Sequence, residues 1–533
     1  MFSLFRRFVT VFLPLSLLLL GGSGCSPKEL SSKRPETLIF ARGSDAQKLD
    51  PADVDDGESV NTISQICEGL VRFKSGTLEI EPSLAESYEI SENGLRYTFH
   101  LREGVRFHDG TALTAEAALF SFHRQMDESH PGHLPEANFQ YWNYLYQEIK
   151  EVRAEGEMTV VFELSEPNSS LLYSLAIFPA FLVSPNALET YGEEFQRHPV
   201  GTGPYRFLNW TPNQAIVMEK NPDYWDVANA PKFERLVMKV VPENSVRLLE
   251  LKSGHVHGID GLQPAELAAL ESDPRFTVYQ RPGMNVGYLT YNLQDPRFTS
   301  REVRLAIAMA IDRKGLAKIA LDGTGRAADY PIPPGFLGEP KKGNPIPYDP
   351  ERAREILAAH PDILAAPIKL QVMSQPRQYF PDPVKAASFI RSELEKVGLT
   401  VTIEAKDFKS HLNSLRNFEF ELGLIGWMGD NGDTDNFLSI FFGSWATIKG
   451  AASNYAFYKN DEMDAYLLGA RRETDMAKRQ ELYEKCLALW RRDLPIVPLV
   501  HSNNIVVTRS ELTGFELQLI GDLRLGPVGW KAE

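Results

Sequence analysis

Two hydrophobic periods alternate along most of this 533-residue chain. That alternation points to a layered α/β protein rather than a helical bundle or a β-sandwich, because strands and helices bury faces with different repeats. Leu95, Tyr97, Phe99 and Leu101 recur at every second position, the pattern of a half-buried strand. The turn-forming run His108, Asp109, Gly110, Thr111 follows, and Thr114 then opens a helix with Glu116 in its first turn and Leu119, Phe122 and Met126 along one stripe. Leu236, Met238 and Val240 predict a second strand, ended by Pro242 before a helix over residues 245–252 that Gly254 closes. Asp382 and Pro383 start the clearest helix, with Val384, Ala387, Ile390, Leu394 and Val397 on its buried face and Gly398 as its stop. A strand over residues 399–405 follows. Asp349 and Pro350 open a further helix, and another runs from Asp475 to Arg492, ahead of Pro495. There is no internal repeat and no low-complexity tract.

Roughly 500 residues exceed what one hydrophobic core serves, so at least two lobes are expected. The segment from Gly283 to Asn292 joins two glycines to a strand pattern and reads as a crossing between lobes; Ile496 to Val500 reads as a second crossing. Two such strands make a hinge, and the segment between them is then an insertion into a lobe built from both chain ends.

Arg6 and Arg7 precede the apolar stretch from Phe8 to Leu20, which the small residues Gly21, Gly22, Ser23 and Gly24 and then Cys25 follow. This is the pattern of an export signal over residues 1–24; the apolar part is too short for a hydrocarbon core that needs about 20 helical residues. Cys25 stands at the position of a bacterial lipoprotein processing site and is the expected lipid carrier, although Gly22 replaces the aliphatic residue usual three places earlier. Cleavage without lipidation is the alternative. Residues 25–36 are polar and suit a tether. The net charge of −15 argues against a nucleic-acid partner. Beyond Cys25 only Cys67 and Cys486 remain, too few for a disulfide framework, and Cys486 shares a helical face with Leu482 and Leu489, which favours a buried thiol over a bridge to Cys67.

The run Tyr97, Thr98, Phe99, His100, Leu101, Arg102, Glu103, Gly104, Val105, Arg106, Phe107, His108, Asp109, Gly110 resembles the signature of the extracellular solute-binding proteins that serve peptide ABC importers (family 5), with the dipeptide-binding branch as the nearest likeness. Val200 to Tyr205, Asn221 to Trp225 and the strand around Asn285 to Asn292 match in family order. The resemblance implies an α/β, two-lobed, type II periplasmic-binding-protein-like fold hinged between its lobes. Lobe I would hold residues 37–283 and 501–533, with an extra subdomain at about 76–185, and lobe II residues 284–500.

The stretch from Gly426 through Trp427, Met428, Gly429, Asp430, Asn431, Gly432, Asp433, Thr434, Asp435 and Asn436 to Phe437 resembles the dipeptide-binding loop of that branch, in which an aspartate receives the ligand's amino terminus; the matching position is Asp430. Thr434 stands where that branch has proline. Arg377, Gln378 and Tyr379 resemble the segment whose arginine takes the ligand's carboxylate. Trp427 and Tyr379 match aromatic positions near the ligand, and Gly43, Ser44 and Asp45 resemble the lobe I segment whose backbone completes the cleft. The implied ligand set is thus Arg377, Asp430, Trp427, Tyr379, Gly426, Ser44 and Asp45.

Such a pair suits a zwitterion, whose two ends would each cost several kcal/mol if left unpaired in a dry cleft. The spacing of the pair then measures length, since two extended residues cover about 7 Å. On residue chemistry alone, an acid among glycines is turn chemistry and an arginine beside prolines is a solvated surface charge. His108 and Asp109 are read as turn-shaping residues. No Gly-x-Ser-x-Gly elbow, His-Glu-x-x-His pair or phosphate-cradling loop is present, which argues against an enzyme. His130 with His133, and His255 with His257, lack a third ligand at short range and are read as surface or loop histidines rather than a metal site. No cofactor is expected. The expected partners are a short peptide, the permease of an ABC importer and the membrane through lipidated Cys25, with the chain itself a monomer. Within the family a longer peptide, haem, a nickel complex, an oligosaccharide or an antimicrobial peptide are the competing ligands, and an exported hydrolase is the alternative from another class.

Overall fold

The computed structural model describes residues 34–532 except 138, 140, 263 and 341–344, and leaves the side chains of 143 and 144 aside. The export signal, Cys25 and most of the tether therefore lie outside the described residues. Local chemistry builds the elements where the periodicities place them. The strand Arg96–Leu101 buries Tyr97, Phe99 and Leu101 and leaves the alternate positions half-exposed. Helix Ala115–Met126 starts where the Thr114 hydroxyl accepts from the Ala117 amide, and Pro383–Glu395 starts where Asp382 accepts from Lys385. Gly398 ends the latter at φ +94°, a conformation that costs a side-chain-bearing residue about 1 kcal/mol or more. One position departs from the expected stripe: Val384, in the first turn of that helix, is 39% exposed, while Ala387, Ile390 and Leu394 are fully buried.

Twelve strands form one mixed sheet. Its first half centres on Thr37–Arg42, which pairs in parallel with Arg235–Val240 on one side and Gly258–Asp260 on the other. Helix Asn244–Ser253 links those two flanking strands. Leu38 and Phe40 face one core while Ala41 joins the core on the opposite face, the expected consequence of a strand's period of two. In the second half Ile368–Met373 pairs in parallel with Val401–Lys406 and with Leu422–Met428, and helix Pro383–Glu395 provides the crossover. A separate antiparallel sheet, Ala85–Ile90, Arg96–Leu101, Thr159–Leu164 and Ile149–Ala154, carries its own core under helix Ala115–Met126.

A single strand, Ile496–Arg509, runs through both halves. Its first residues pair with Asn285–Tyr291, Thr290 opposite Ile496 and Gly287 opposite Val500, and its last pair with Phe276–Pro282, Phe276 opposite Arg509 and Pro282 opposite Asn503. The chain thus crosses between the lobes on two neighbouring strands. Their junction is tightly tied: the Gly283 amide and Asn285 Nδ2 both donate to the Ser502 carbonyl at 3.0 Å, and the Ser502 amide donates to Asn285 Oδ1 at 2.9 Å. A Cβ on Gly283 would come within 2.5 Å of Asn285 Nδ2, which explains the glycine.

Cys67 and Cys486 are both free and buried, in the first-lobe and second-lobe cores respectively. His108 and Asp109 do shape the turn: Asp109 accepts from the Thr111 amide and the Ser184 hydroxyl, and His108 contacts the Gly203 carbonyl. His257 lies in the bend just before Gly258–Asp260, a loop histidine as expected, but it is buried rather than at the surface. It is 6% exposed, accepts from the Ile39 amide and packs against Phe233 and Trp530, a neighbourhood assembled from remote segments. Among the described residues there is no cluster of metal-ligating side chains and no helix long and apolar enough to cross a membrane.

Candidate ligand-binding cleft

Two of the residues singled out in the second lobe, Tyr379 and Gly426, meet on the sheet. Gly426 lies in the strand Leu422–Met428, beside Gly287 of the crossing strand. A Cβ on Gly426 would fall 2.4 Å from the Tyr379 ring, and one on Gly287 would fall 2.8 Å from Phe380. The two aromatic rings therefore lie directly on the bare backbone of the sheet. Arg377 and Phe380 exchange backbone hydrogen bonds of 3.0 and 2.9 Å, so the turn that carries Arg377 is fixed to that platform. Arg377 is two residues from Tyr379, and Asp430 is four from Gly426. At about 3.6 Å of reach per residue, the Cα atoms of Arg377 and Asp430 stand no more than ~7 and ~14 Å along the chain from Tyr379 and Gly426 respectively.

Arg377 lines a cavity of about 840 Å³ between the lobes, facing Gly43, Glu58 and Asp260 of the first lobe. Gln378 donates to Asn504 across the same gap. The guanidinium lies over the Phe408 ring, its Cζ 3.6 Å from the centroid.

Asp430 stands on the loop after Met428, outside the lining of that cavity. Its amide donates to Asn436 Oδ1 at 2.8 Å, and Asn436 Nδ2 returns a bond to Asp430 Oδ2 at 3.2 Å. Across the cleft the Tyr141 hydroxyl donates to Oδ1 at 3.4 Å. Burial pushes the Asp430 carboxyl up to about 6, against the pull of its bonds to Asn436 and Tyr141. Among the described residues neither Asp430 nor Arg377 is joined to an opposite charge in an ion pair. Glu58 and Asp260 on the first-lobe wall are also pushed up, by burial first, with mutual repulsion adding to the rise in Glu58 and Arg42 opposing it.

The remaining expected residues hold different positions. Trp427 is half-buried and its indole N–H points to Asn436 Oδ1 at 3.4 Å. Tyr379 is 4% exposed and belongs to the second-lobe core, with its hydroxyl 3.9 Å from the Met373 sulfur. Ser44 is exposed. The Asp45 carboxylate is consumed by structure, accepting from Trp210 Nε1, the Asn213 amide, the Ala46 amide and Arg42. Gly43 is the member of that segment that reaches the cavity.

Sequence reasoning missed Tyr141, Asn436 and Phe408. Asn436 lies inside the loop motif, and its spacing of six from Asp430 was the available signal. Tyr141 and Phe408 reach the site only through tertiary packing.

A family model described as bacterial extracellular solute-binding proteins, family 5 Middle, matches residues 79–448. Heme-binding protein A of Haemophilus influenzae is 31% identical over 504 residues, covering 91% of this chain and 91% of that protein. The dipeptide-binding protein of Escherichia coli is 30% identical over 520 residues, covering 95% and 96%. Among solved structures, the ABC transporter-associated periplasmic binding protein DppA from Helicobacter pylori in complex with peptide STSA is 32% identical, with a TM-score of 0.78 over 93% of this chain and 98% of that one.

Proposed function

This chain belongs to the bacterial extracellular solute-binding proteins, family 5, and we propose that its solute is a short peptide, a dipeptide above all, held by its two charged ends. Membership makes it an extracytoplasmic binding protein for ABC import and not an enzyme. One observation supports the peptide reading: among the described residues the half-buried Asp430 carboxylate and the Arg377 guanidinium each lack an ion-pair partner, and the segments that carry them meet at the Tyr379–Gly426 contact. A zwitterion supplies both missing partners. Asp430 receives the ammonium and Arg377 the carboxylate in charge-assisted hydrogen bonds. Trp427 gives a flat wall, Tyr379 and Gly426 hold the platform, and Gly43 closes the first-lobe side. A sugar would leave both charges unpaired.

The 31% identity with Heme-binding protein A supports haem as a second reading. Among the described residues, the lining of the cavity beside Arg377 contains no His, Cys, Met or Tyr that could ligate iron, which weighs toward the peptide on that side of the site. Delivery to an importer permease, attachment through lipid on Cys25 and action as a monomer complete the proposal.

Mass spectrometry of ligand released from the purified protein, followed by calorimetry with di-, tri- and pentapeptides and haem, tests it. Arg377→Ala and Asp430→Asn should each weaken dipeptide binding by about 10- to 100-fold, the equivalent of ~1.5–3 kcal/mol per charge-assisted bond. Released sugar, haem or metal, or peptide binding indifferent to both substitutions, rejects the reading.

A further inference from the structure

We propose that Phe408 is a positioning residue for the ligand's carboxylate, acting by holding the plane of the Arg377 guanidinium. The inference rests on the peptide reading of the cleft. Arg377 Cζ lies 3.6 Å from the Phe408 ring centroid, close enough for the guanidinium to lie on the face of the ring. A guanidinium projects its donors in its own plane, so a ring on its face holds the group while leaving its fork unspent. An acidic neighbour would hold it equally well but would occupy that fork. Arg377 Nε is buried without a hydrogen-bond partner.

Phe408 is itself held in place. It is the first residue of helix Phe408–Arg416, which Asp407 caps by accepting from the Ser410 amide at 3.0 Å. The Phe408 amide donates to Gln375 Oε1 at 2.7 Å, tying the helix start to the segment that carries Arg377. The ring also packs against the second-lobe core. The arginine is thus fixed at its backbone by the bridge to Phe380 and at its head by Phe408. A long side chain with several rotatable bonds is prevented from reorganising when the anion arrives.

The test is calorimetry with a dipeptide carrying a free C-terminal carboxylate and with its C-terminal amide, against Phe408→Leu, Phe408→Tyr and Arg377→Ala. Phe408→Leu keeps apolar volume and removes the aromatic face. It should weaken the carboxylate peptide about fivefold, the equivalent of ~1 kcal/mol, and change the amide less than about twofold, the scale of a bystander effect. Phe408→Tyr, which restores an aromatic face, should retain the wild-type preference for the carboxylate. Equal weakening of both peptides in Phe408→Leu, or no weakening of either while Arg377→Ala still erases the preference, overturns the role of Phe408 and leaves the peptide reading intact. An Arg377→Ala protein that keeps the preference overturns both.

Discussion

The Tyr141 hydroxyl stands 3.4 Å from Asp430 Oδ1, while Asn436 Nδ2 stands 3.2 Å from Oδ2. The carboxylate is therefore held between neutral donors, one from each side of the cleft, and its charge is left for a guest.

This arrangement sets a pH dependence. Burial raises the Asp430 carboxyl to about 6, above an unfolded value of about 3.9. A raised carboxyl favours the ligand-free folded state at low pH, and that benefit is lost as pH climbs through the window between the two values. Ligand binding runs the other way, because the ammonium needs the ionised acid. The association constant for a dipeptide should fall about tenfold from pH 7 to pH 5, as one proton competes for the site. The Asp430→Asn protein should lose that tenfold fall, leaving only the smaller dependence that Glu58 and Asp260 on the facing wall impose. Calorimetry across pH reads both, and a flat wild-type profile would contradict the assignment.

Gly426 has no room for a methyl group. Its Cβ would sit 2.4 Å from the Tyr379 ring, which is packed in the core and can yield only by shifting together with its turn. Gly426→Ala should cost about 1–3 kcal/mol in urea unfolding, the range for overpacking. It should also weaken peptide binding, because the displaced ring carries the turn of Arg377. Unchanged stability with unchanged affinity would show that the platform tolerates the shift.

Much of the fold was legible because its signals are local. Thr114, Asp349, Asp382 and Asp475 each cap a helix through a bond spanning two or three residues, so the sequence around each holds the whole interaction. The long strand was read only as far as Val500, yet it continues to Arg509. Asn503 and Asn504 break its apolar pattern, and its register depends on Phe276–Pro282, more than 200 residues away. The burial of His257 was illegible for the same reason: the ring contacts that cover this loop residue come from Phe233 and Trp530. In the cleft, the family likeness marked Arg377 and Asp430. Tertiary packing alone places Phe408 on one and Tyr141 against the other, because stacking and cross-cleft contact leave no periodicity behind.

The loop that carries Asp430 is stabilised from beneath by a buried ion pair. Asp433 and Arg479, 2% and 1% exposed, meet at 2.7 Å, and the Arg479 Nε donates to the Ala470 carbonyl at 2.9 Å. Asp433→Ala would strand that guanidinium in the core and should cost about 3–5 kcal/mol. Replacing both partners with apolar residues of similar volume should recover most of the loss, since the pair must first overcome its own desolvation. Urea unfolding of the single and double variants provides the measurement. A loss under ~1 kcal/mol in Asp433→Ala, typical of an exposed pair, would mean that the loop is held elsewhere.

Among the contacts that join the lobes away from the hinge, two differ sharply in burial, and that difference predicts which of them matters more. Arg472 and Glu166 form an ion pair that is 53% and 46% exposed. Such pairs contribute about 0–1 kcal/mol and weaken in salt. Asn431 Nδ2 donates to the Ser174 hydroxyl at 3.1 Å, with both residues 2% exposed. Ser174→Ala leaves that amide buried without its acceptor, a loss of about 1–3 kcal/mol. Closure should therefore depend far more on Ser174 than on Glu166. In small-angle scattering, Ser174→Ala should shift the ligand-free protein toward a larger radius of gyration and speed peptide release by about fivefold or more. Glu166→Gln should change release by less than about fivefold, and should lose even that effect in high salt. The opposite ranking would place the latch at the exposed pair and show that the buried amide finds another acceptor when the hydroxyl is removed.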